Sequence, residues 1–146
     1  IGEHGDSEVL SWSGVSVGGL GLEEFYRLRR VDLCPDDRRE IDDQVRNAAY
    51  AIIQGKGATY YGIGAAVARL LRVILHGHRS ILTVCSRVEG EPPLEGWSEV
   101  SLSLPRLVGG RGVVETLPLA LAPPEEEALR QSARVVASAI QELDAA

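Results

Sequence analysis

The sequence predicts an α+β domain in which antiparallel strands pack with long helices, and three observations carry the prediction. Apolar residues between positions 41 and 74 recur at three- and four-residue intervals, which is the helical period. Between 81 and 119 they alternate or run together in the manner of strands. Beyond Pro124 the helical period returns behind a run of glutamates.

Taken in order, the chain opens on IGEHGDSEV, residues 1–9, where a histidine stands between glycines and carboxylates. VSVGGLGLEEFYRL follows, and its glycines read as an irregular connection leading into a short helix. From Glu40, the residues Ile41, Val45, Ala48, Ala49 and Ile52 form one helical stripe that is expected to face a core, with Gly55 and Gly57 ending the helix. A second helix is predicted from Ile63, Val67, Leu70, Leu71 and Ile74, with Thr59 near its start, where a hydroxyl could cap free amides. Gly62, Gly64, Ala65 and Ala66 make its first turns slim, which suits close packing against another helix or a ligand.

ILTVCSRV (81–88), VSLSL (100–104) and VVETLPL (113–119) read as three strands joined by short turns, and so as antiparallel neighbours. The last helix starts at Pro124, with Glu125, Glu126 and Glu127 complementing its dipole, and carries Leu129, Ala133, Val136, Ile140 and Leu143 on one stripe. Repeats, low-complexity tracts and linkers are absent from the sequence, so a single domain over residues 1–146 is expected.

At 146 residues the chain is long enough to bury a core, since folding at this size hides roughly two thirds of the unfolded surface. No apolar run approaches the roughly 18 residues of a spanning helix, so no membrane segment is expected. The net charge of −6, with arginines scattered rather than clustered, argues against nucleic acid as a partner. Cys34 and Cys85 fit neither a disulfide framework nor a zinc spacing, which predicts buried thiols, a reducing compartment and a cytoplasmic protein. Methionine is missing from the whole sequence, so the chain is expected to be part of a longer one.

His4 is the first candidate for chemistry. Gly2 and Gly5 let the backbone bend or approach a ligand closely, and imidazole is suited to proton transfer near neutral pH. Read from its residues alone, the stretch is either a general acid–base site or a surface turn that contains a histidine. His76 and His78 lack a third ligand and read as cations at a helix C-terminus, so no metal site is expected. His4, Asp6 and Ser7 lie too close in sequence to converge as a hydrolytic triad. GIGAAV, 62–67, falls within a helical pattern without a preceding strand, and GKGAT, 55–59, lacks the spaced glycine of a phosphate loop.

GEHGDS at 2–7 followed by KGATYYGIG at 56–64, with VRNAAYAII at 45–53 and ILTVCS at 81–86, resembles the L-lactate dehydrogenases. The resemblance runs along essentially the whole chain and implies the C-terminal, substrate-binding half of a subunit of that fold, without the N-terminal Rossmann half. It implies that His4 is the proton donor and acceptor as pyruvate and L-lactate are interconverted with NAD. It implies that Thr59 lies beside the substrate methyl group, and that Ile63 packs on the nicotinamide ring. The family's aspartate that holds the imidazolium, its carboxylate-gripping arginine and most of its NAD contacts are expected upstream of residue 1. Asp6 is therefore not that aspartate and is expected to shape the turn. Tyr50 occupies a position sometimes phosphorylated in the family and reads more simply as a packing residue. The sequence departs from the family pattern at Leu10, where proline commonly follows the motif.

The resemblance further implies a bacterial, cytoplasmic, allosteric homo-oligomer, a tetramer, working in glycolysis and pyruvate fermentation. Two rival expectations stand beside it. One is a malate dehydrogenase of the same fold, whose members more often carry GGHGD-like residues before the histidine and lack the KGAT run. The other is a non-catalytic module that contributes only subunit contacts.

Overall fold

The computed structural model describes residues 1–32 and 34–145. After a single 3₁₀ turn at Trp12–Gly14, strands β1 (Ser16–Val17) and β2 (Leu20–Gly21) pair antiparallel across Gly18 and Gly19. Both glycines have positive φ, 62° and 85°, as a two-residue hairpin turn requires. The glycine-rich span is thus a hairpin, not the irregular connection expected from its composition. Helix α1 (Leu22–Arg29) follows, acidic in its first turn and basic in its last, as its dipole favours.

Helix α2 (Pro35–Lys56) begins at Pro35, earlier than the expected Glu40, because proline loses no helical hydrogen bond in a first turn and Asp36 and Asp37 favour the dipole. Gly55 lies inside the helix. The chain leaves it at Gly57, whose φ of 80° is left-handed and whose amide donates to the Ile53 carbonyl at 2.7 Å. Helix α3 (Tyr61–Leu75) is preceded by Tyr60 at the cap position with no side-chain bond, so Thr59 does not cap it.

The expected core-facing stripes of these two helices are exposed. Ile41, Val45 and Ile52 on α2, and Ile63, Val67 and Leu71 on α3, all face outward. A Cβ at Gly62 or Gly64 would meet nothing within 4 Å, so the slim turns pack on nothing within this chain. Helical periodicity shows that a face needs an apolar partner without saying that the same chain supplies it. Toward the end of α3, where the helix meets the sheet, Val73 is buried and Leu70 and Ile74 of the expected stripe are half-buried.

The main sheet runs β3 (Ser80–Arg87), β4 (Ser101–Gly109), β5 (Gly112–Thr116), all antiparallel, with Cys85 opposite Ser103 and Arg106 opposite Thr116. β4 and β5 are joined by a tight turn, but β3 and β4 are joined by residues 88–100 and not by the short turn expected. That connection is packed rather than loose. The Val88 amide bonds the Val100 carbonyl at 2.9 Å, and Val88, Leu94 and Val100 are buried. Strand alternation places Cys85 with Ile81 and Thr83 on the open face of β3, and Cys34 is exposed as well. The buried thiols expected from cysteine usage are therefore not found.

Helix α4 (Pro123–Asp144) lays Leu129 and Ala133 against Leu102 and Leu104 of β4, and Val9, Val88, Leu94 and Val100 complete the core. Among the described residues, no single helix is long and apolar enough to cross a membrane.

Arg106 is on the inward-facing side of β4 and only 3% exposed. Its guanidinium bonds the Thr116 hydroxyl and reaches the Ser86 carbonyl at 3.4 Å and Glu91 Oε1 at 3.8 Å. Burial disfavours the Glu91 carboxylate. Amides of Glu91 and Glu89, the Thr116 hydroxyl and the Arg106 charge outweigh that penalty and hold the carboxyl below its usual 4.5. A carboxyl titrating lower in the folded than in the unfolded state adds stability that is complete above the unfolded value and is lost as pH falls through the folded one. Acidifying from about pH 5.5 to about pH 3.5 is therefore expected to lower the melting temperature less in Glu91→Gln than in the parent. Parallel acid curves for the two proteins would show that this carboxylate contributes nothing.

Candidate active site

The segment around His4 is fastened at several points to the layers beneath it. Ile1 and Val9 exchange two backbone hydrogen bonds of 2.8 Å, which close a neck. β5 pairs with the Arg106–Gly109 end of β4, the Leu117 amide beyond it bonds the Pro105 carbonyl at 3.0 Å, and β5 leaves the edge open at Ser103. Gly2 takes it, exchanging two 2.8 Å bonds with Ser103. Gly2 has φ of 95°, and a Cβ there would lie 2.6 Å from Ser132 Oγ and 3.5 Å from Leu129 Cδ1 of α4. Both the backbone angle and the space demand glycine.

Ser132 is wholly buried, and its Oγ accepts the Glu3 amide at 2.7 Å. The Glu3 carboxylate turns back over Gly5, where a Cβ would collide with it, and accepts the Ser7 hydroxyl and, at 3.3 Å, the Ser7 amide. The Ser7 hydroxyl also lies 3.3 Å from Ser132 Oγ, and the Glu8 amide bonds the Gly5 carbonyl at 3.1 Å. His4 sits between the anchored Glu3 and Gly5. Its side chain is exposed, and no described residue hydrogen-bonds the imidazole.

His4 borders a shallow depression of about 230 Å³ that is closed on one side by α2, through Val45, Arg46, Ala49 and Tyr50. Arg46 donates to the Asp6 carbonyl at 2.8 Å, and the Tyr50 hydroxyl lies 3.3 Å from Asp6 Oδ1. Asp6 thus ties the turn to α2. Tyr50 is not the packing residue expected, since it is 59% exposed and works through its hydroxyl.

The base of α2 is held by further polar contacts. Trp12 Nε1 donates to Asp42 at 2.9 Å, and Arg38 lies over the Trp12 ring. The same 3₁₀ turn is fixed to α4 through Glu125, which accepts the Ser13 hydroxyl and amide and the Ala122 amide. Burial acts against that carboxylate, but bonds from the Ser13 hydroxyl and from amides of Ser13, Ala122 and Trp12 keep it below the usual carboxylate range.

The other residues singled out by sequence lie apart from His4. Thr59 is exposed in the link between α2 and α3 and does not line the His4 depression. Ile63 is 60% exposed and borders a separate apolar groove of about 330 Å³ with Val67 and Leu70 on α3 and Leu82 and Val84 on β3. Within this chain the three residues do not share a cavity. His76 and His78 form an exposed helix end, their rings 5.6 Å apart and His76 Nδ1 set 2.9 Å from the Arg72 carbonyl. Among the described residues, no group of three or more His, Cys, Asp or Glu could hold a metal ion.

Sequence reasoning missed Ser132, Arg46 and the inward turn of Glu3. Ser132 alone left a signal: it is a polar residue at a helical interval from Leu129 and Val136, on the apolar stripe of α4.

The similarity of the chain to known proteins lies within one family. Residues 1–146 match the family model described as lactate/malate dehydrogenase, alpha/beta C-terminal domain, and the chain belongs to the lactate/malate dehydrogenase family. It is 53% identical to an L-lactate dehydrogenase of Geotalea daltonii over 144 residues, which is 99% of this chain and 45% of that protein. An L-lactate dehydrogenase of Thermus aquaticus is also 53% identical, over 98% of this chain and 45% of its own length. A crystal structure of a lactate dehydrogenase from a Medee basin deep-sea metagenome library superposes with TM-score 0.88 at 32% identity, over 98% of this chain and 45% of that one. The minor L-lactate dehydrogenase of Enterococcus mundtii gives 0.82 at 38% identity, over 99% and 42%. The chain spans about half the length of the curated relatives it matches.

Gly2→Ala is expected to cost about 1–3 kcal/mol of unfolding free energy, the usual cost of forcing a side chain into an unfavourable backbone region. Urea titration reads this directly, and a variant as stable as the parent would show that the loop is not seated at Gly2.

Proposed function

We propose that this chain is the C-terminal, substrate-binding half of an NAD-dependent L-lactate dehydrogenase subunit, an oxidoreductase that interconverts pyruvate and L-lactate. The observation that carries the reading is the presentation of His4: a loop braced from the sheet, from α4 and from α2 offers an exposed imidazole that no described residue engages. A general acid must be fixed relative to the proton it moves and yet keep its nitrogen free for substrate. The names of the relatives at 43–53% identity support lactate over malate as the hydroxy acid.

His4 donates a proton to the carbonyl oxygen of pyruvate during reduction and takes it back from the hydroxyl of lactate. Thr59 borders the substrate methyl group. The open, apolar groove at Ile63 suits the face of a flat ring, and Ile63 with its neighbours keeps water from that face. NAD, when bound, supplies or accepts the hydride. The described residues offer it an apolar wall rather than a cradle for its phosphates, so the nucleotide-binding half is assigned to the part of the relatives' length that this chain does not span. The exposed stripes on α2 and α3 fit contacts with that half and with other subunits of a homo-oligomer, a tetramer.

In the complete subunit, His4→Asn is expected to lower turnover by about 10²–10⁴-fold while NADH affinity, followed by nucleotide fluorescence, stays within about twofold. Turnover near that of the parent would reject His4 as the proton donor. A subunit that binds no NADH at all would favour a non-catalytic oligomerisation module. Thr59→Val is expected to alter selectivity among 2-oxo acids by about 1–3 kcal/mol, the worth of a packing contact beside a methyl group. A uniform loss toward every 2-oxo acid would place Thr59 away from that group.

A further inference from the structure

Ser132 is out of keeping with its surroundings. It is fully buried on the stripe of α4 that otherwise presents Leu129, Ala133 and Val136 to the core. A buried hydroxyl in such a place costs free energy unless it is bonded. Its bonds run to the loop that carries His4: Oγ accepts the Glu3 amide at 2.7 Å and lies 3.3 Å from the Ser7 hydroxyl.

We propose that Ser132 is a positioning residue for the reaction, setting the height and direction of His4 through the amide of the residue before it. The proposal rests on the reading of His4 as proton donor. Three details of the geometry carry it. The Glu3 amide belongs to the residue joined to His4, so bonding it to a rigid helix fixes the backbone that His4 departs from. The Glu3 carboxylate then folds forward to hold Ser7, so one hydroxyl on α4 orders both limbs of the turn. Gly2 is stripped of a side chain where Ser132 approaches, which lets that hydroxyl reach the Glu3 amide.

The neck at Ile1–Val9 and the bridge at Gly2–Ser103 hold the base of the loop and make no bond to its tip. Ser132 and Arg46 act on the tip from opposite elements, α4 and α2. Of the two, Ser132 is wholly buried, and water cannot replace it.

The test is Ser132→Ala in the complete subunit, with pyruvate reduction followed alongside thermal unfolding. A small displacement of an acid–base group costs turnover out of proportion to binding, so kcat is expected to fall about ten- to a hundredfold. NADH affinity and KM for pyruvate are expected to stay within about twofold. The solvent deuterium isotope effect on kcat is expected to rise, because delivery of the proton becomes slower relative to the other steps; loss of folded protein alone would leave it unmoved.

Ser132→Cys fills the same space with a poor acceptor and asks the same question if the alanine variant does not fold. Ser132→Thr, which keeps the hydroxyl, is expected to recover much of the turnover. Parent-like kcat in a folded Ala or Cys variant overturns the proposal, as does a kcat loss matching the unfolded fraction with an unchanged isotope effect. His4→Asn measured in parallel separates the two readings. If that variant keeps its turnover, the assignment of His4 fails; if it is inactive while Ser132→Ala is not, only the role of Ser132 fails.

Discussion

β4 is hydrogen-bonded along both of its edges, and the rest of the structure depends on that. A buried strand must find partners for every amide and carbonyl. β3 satisfies one edge along the whole of β4, but β5 covers only part of the other. Beyond β5, the Leu117 amide bonds the Pro105 carbonyl and Gly2, from the far end of the sequence, bridges Ser103. The requirement that closes the sheet therefore also brings the histidine loop onto it. Because the inward side of β4 meets α4, strand and helix together form a floor whose position is set by packing rather than by the loop itself.

The two halves of the domain are held by different forces. β4, α4 and the 88–100 connection share an apolar core, whereas α2 is tied to α1 and to the neighbouring turns mainly by Arg38–Glu23, Trp12–Asp42 and Arg46–Asp6. Exposed ion pairs such as Arg38–Glu23 contribute little. α3 is fixed near its C-terminal end, where a Cβ on Gly110 would come within 3.3 Å of Gly77 Cα. An apolar face left open on two helices, beside a well-formed core elsewhere, is the surface expected of a domain that meets other structure.

Much of this could be read in the sequence because it depends on local period. Helices α2, α3 and α4 and the three strands of the main sheet follow from apolar spacing, and the acidic start of α4 from its run of glutamates. What could not be read depends on contacts between distant residues. Nothing in LLRVILHG or VRNAAYAII shows that their stripes face outward, because an amphipathic helix looks the same whatever covers it. Cys85 is exposed because it lies on the face of β3 that no described residue covers, and thiol usage alone cannot show that. The connection after Arg87 contains no strand period yet is buried through Val88, Leu94 and Val100, so it read as a turn. At the site, the motif around His4 was plain, but the residues that hold it lie on α2 and α4, and only the odd placement of Ser132 on its stripe hinted at them.

The bond between Glu3 and Ser132 spans 129 positions. A ribosome finishes the floor of this loop long after it has made the loop. Until α4 emerges, the segment around His4 can meet the strand edge but has nothing beneath it, and closing so long a separation is an entropically late step. Seating of the histidine loop is thus coupled to synthesis of α4: a chain cut short before that helix would lose the floor of the loop along with part of its core.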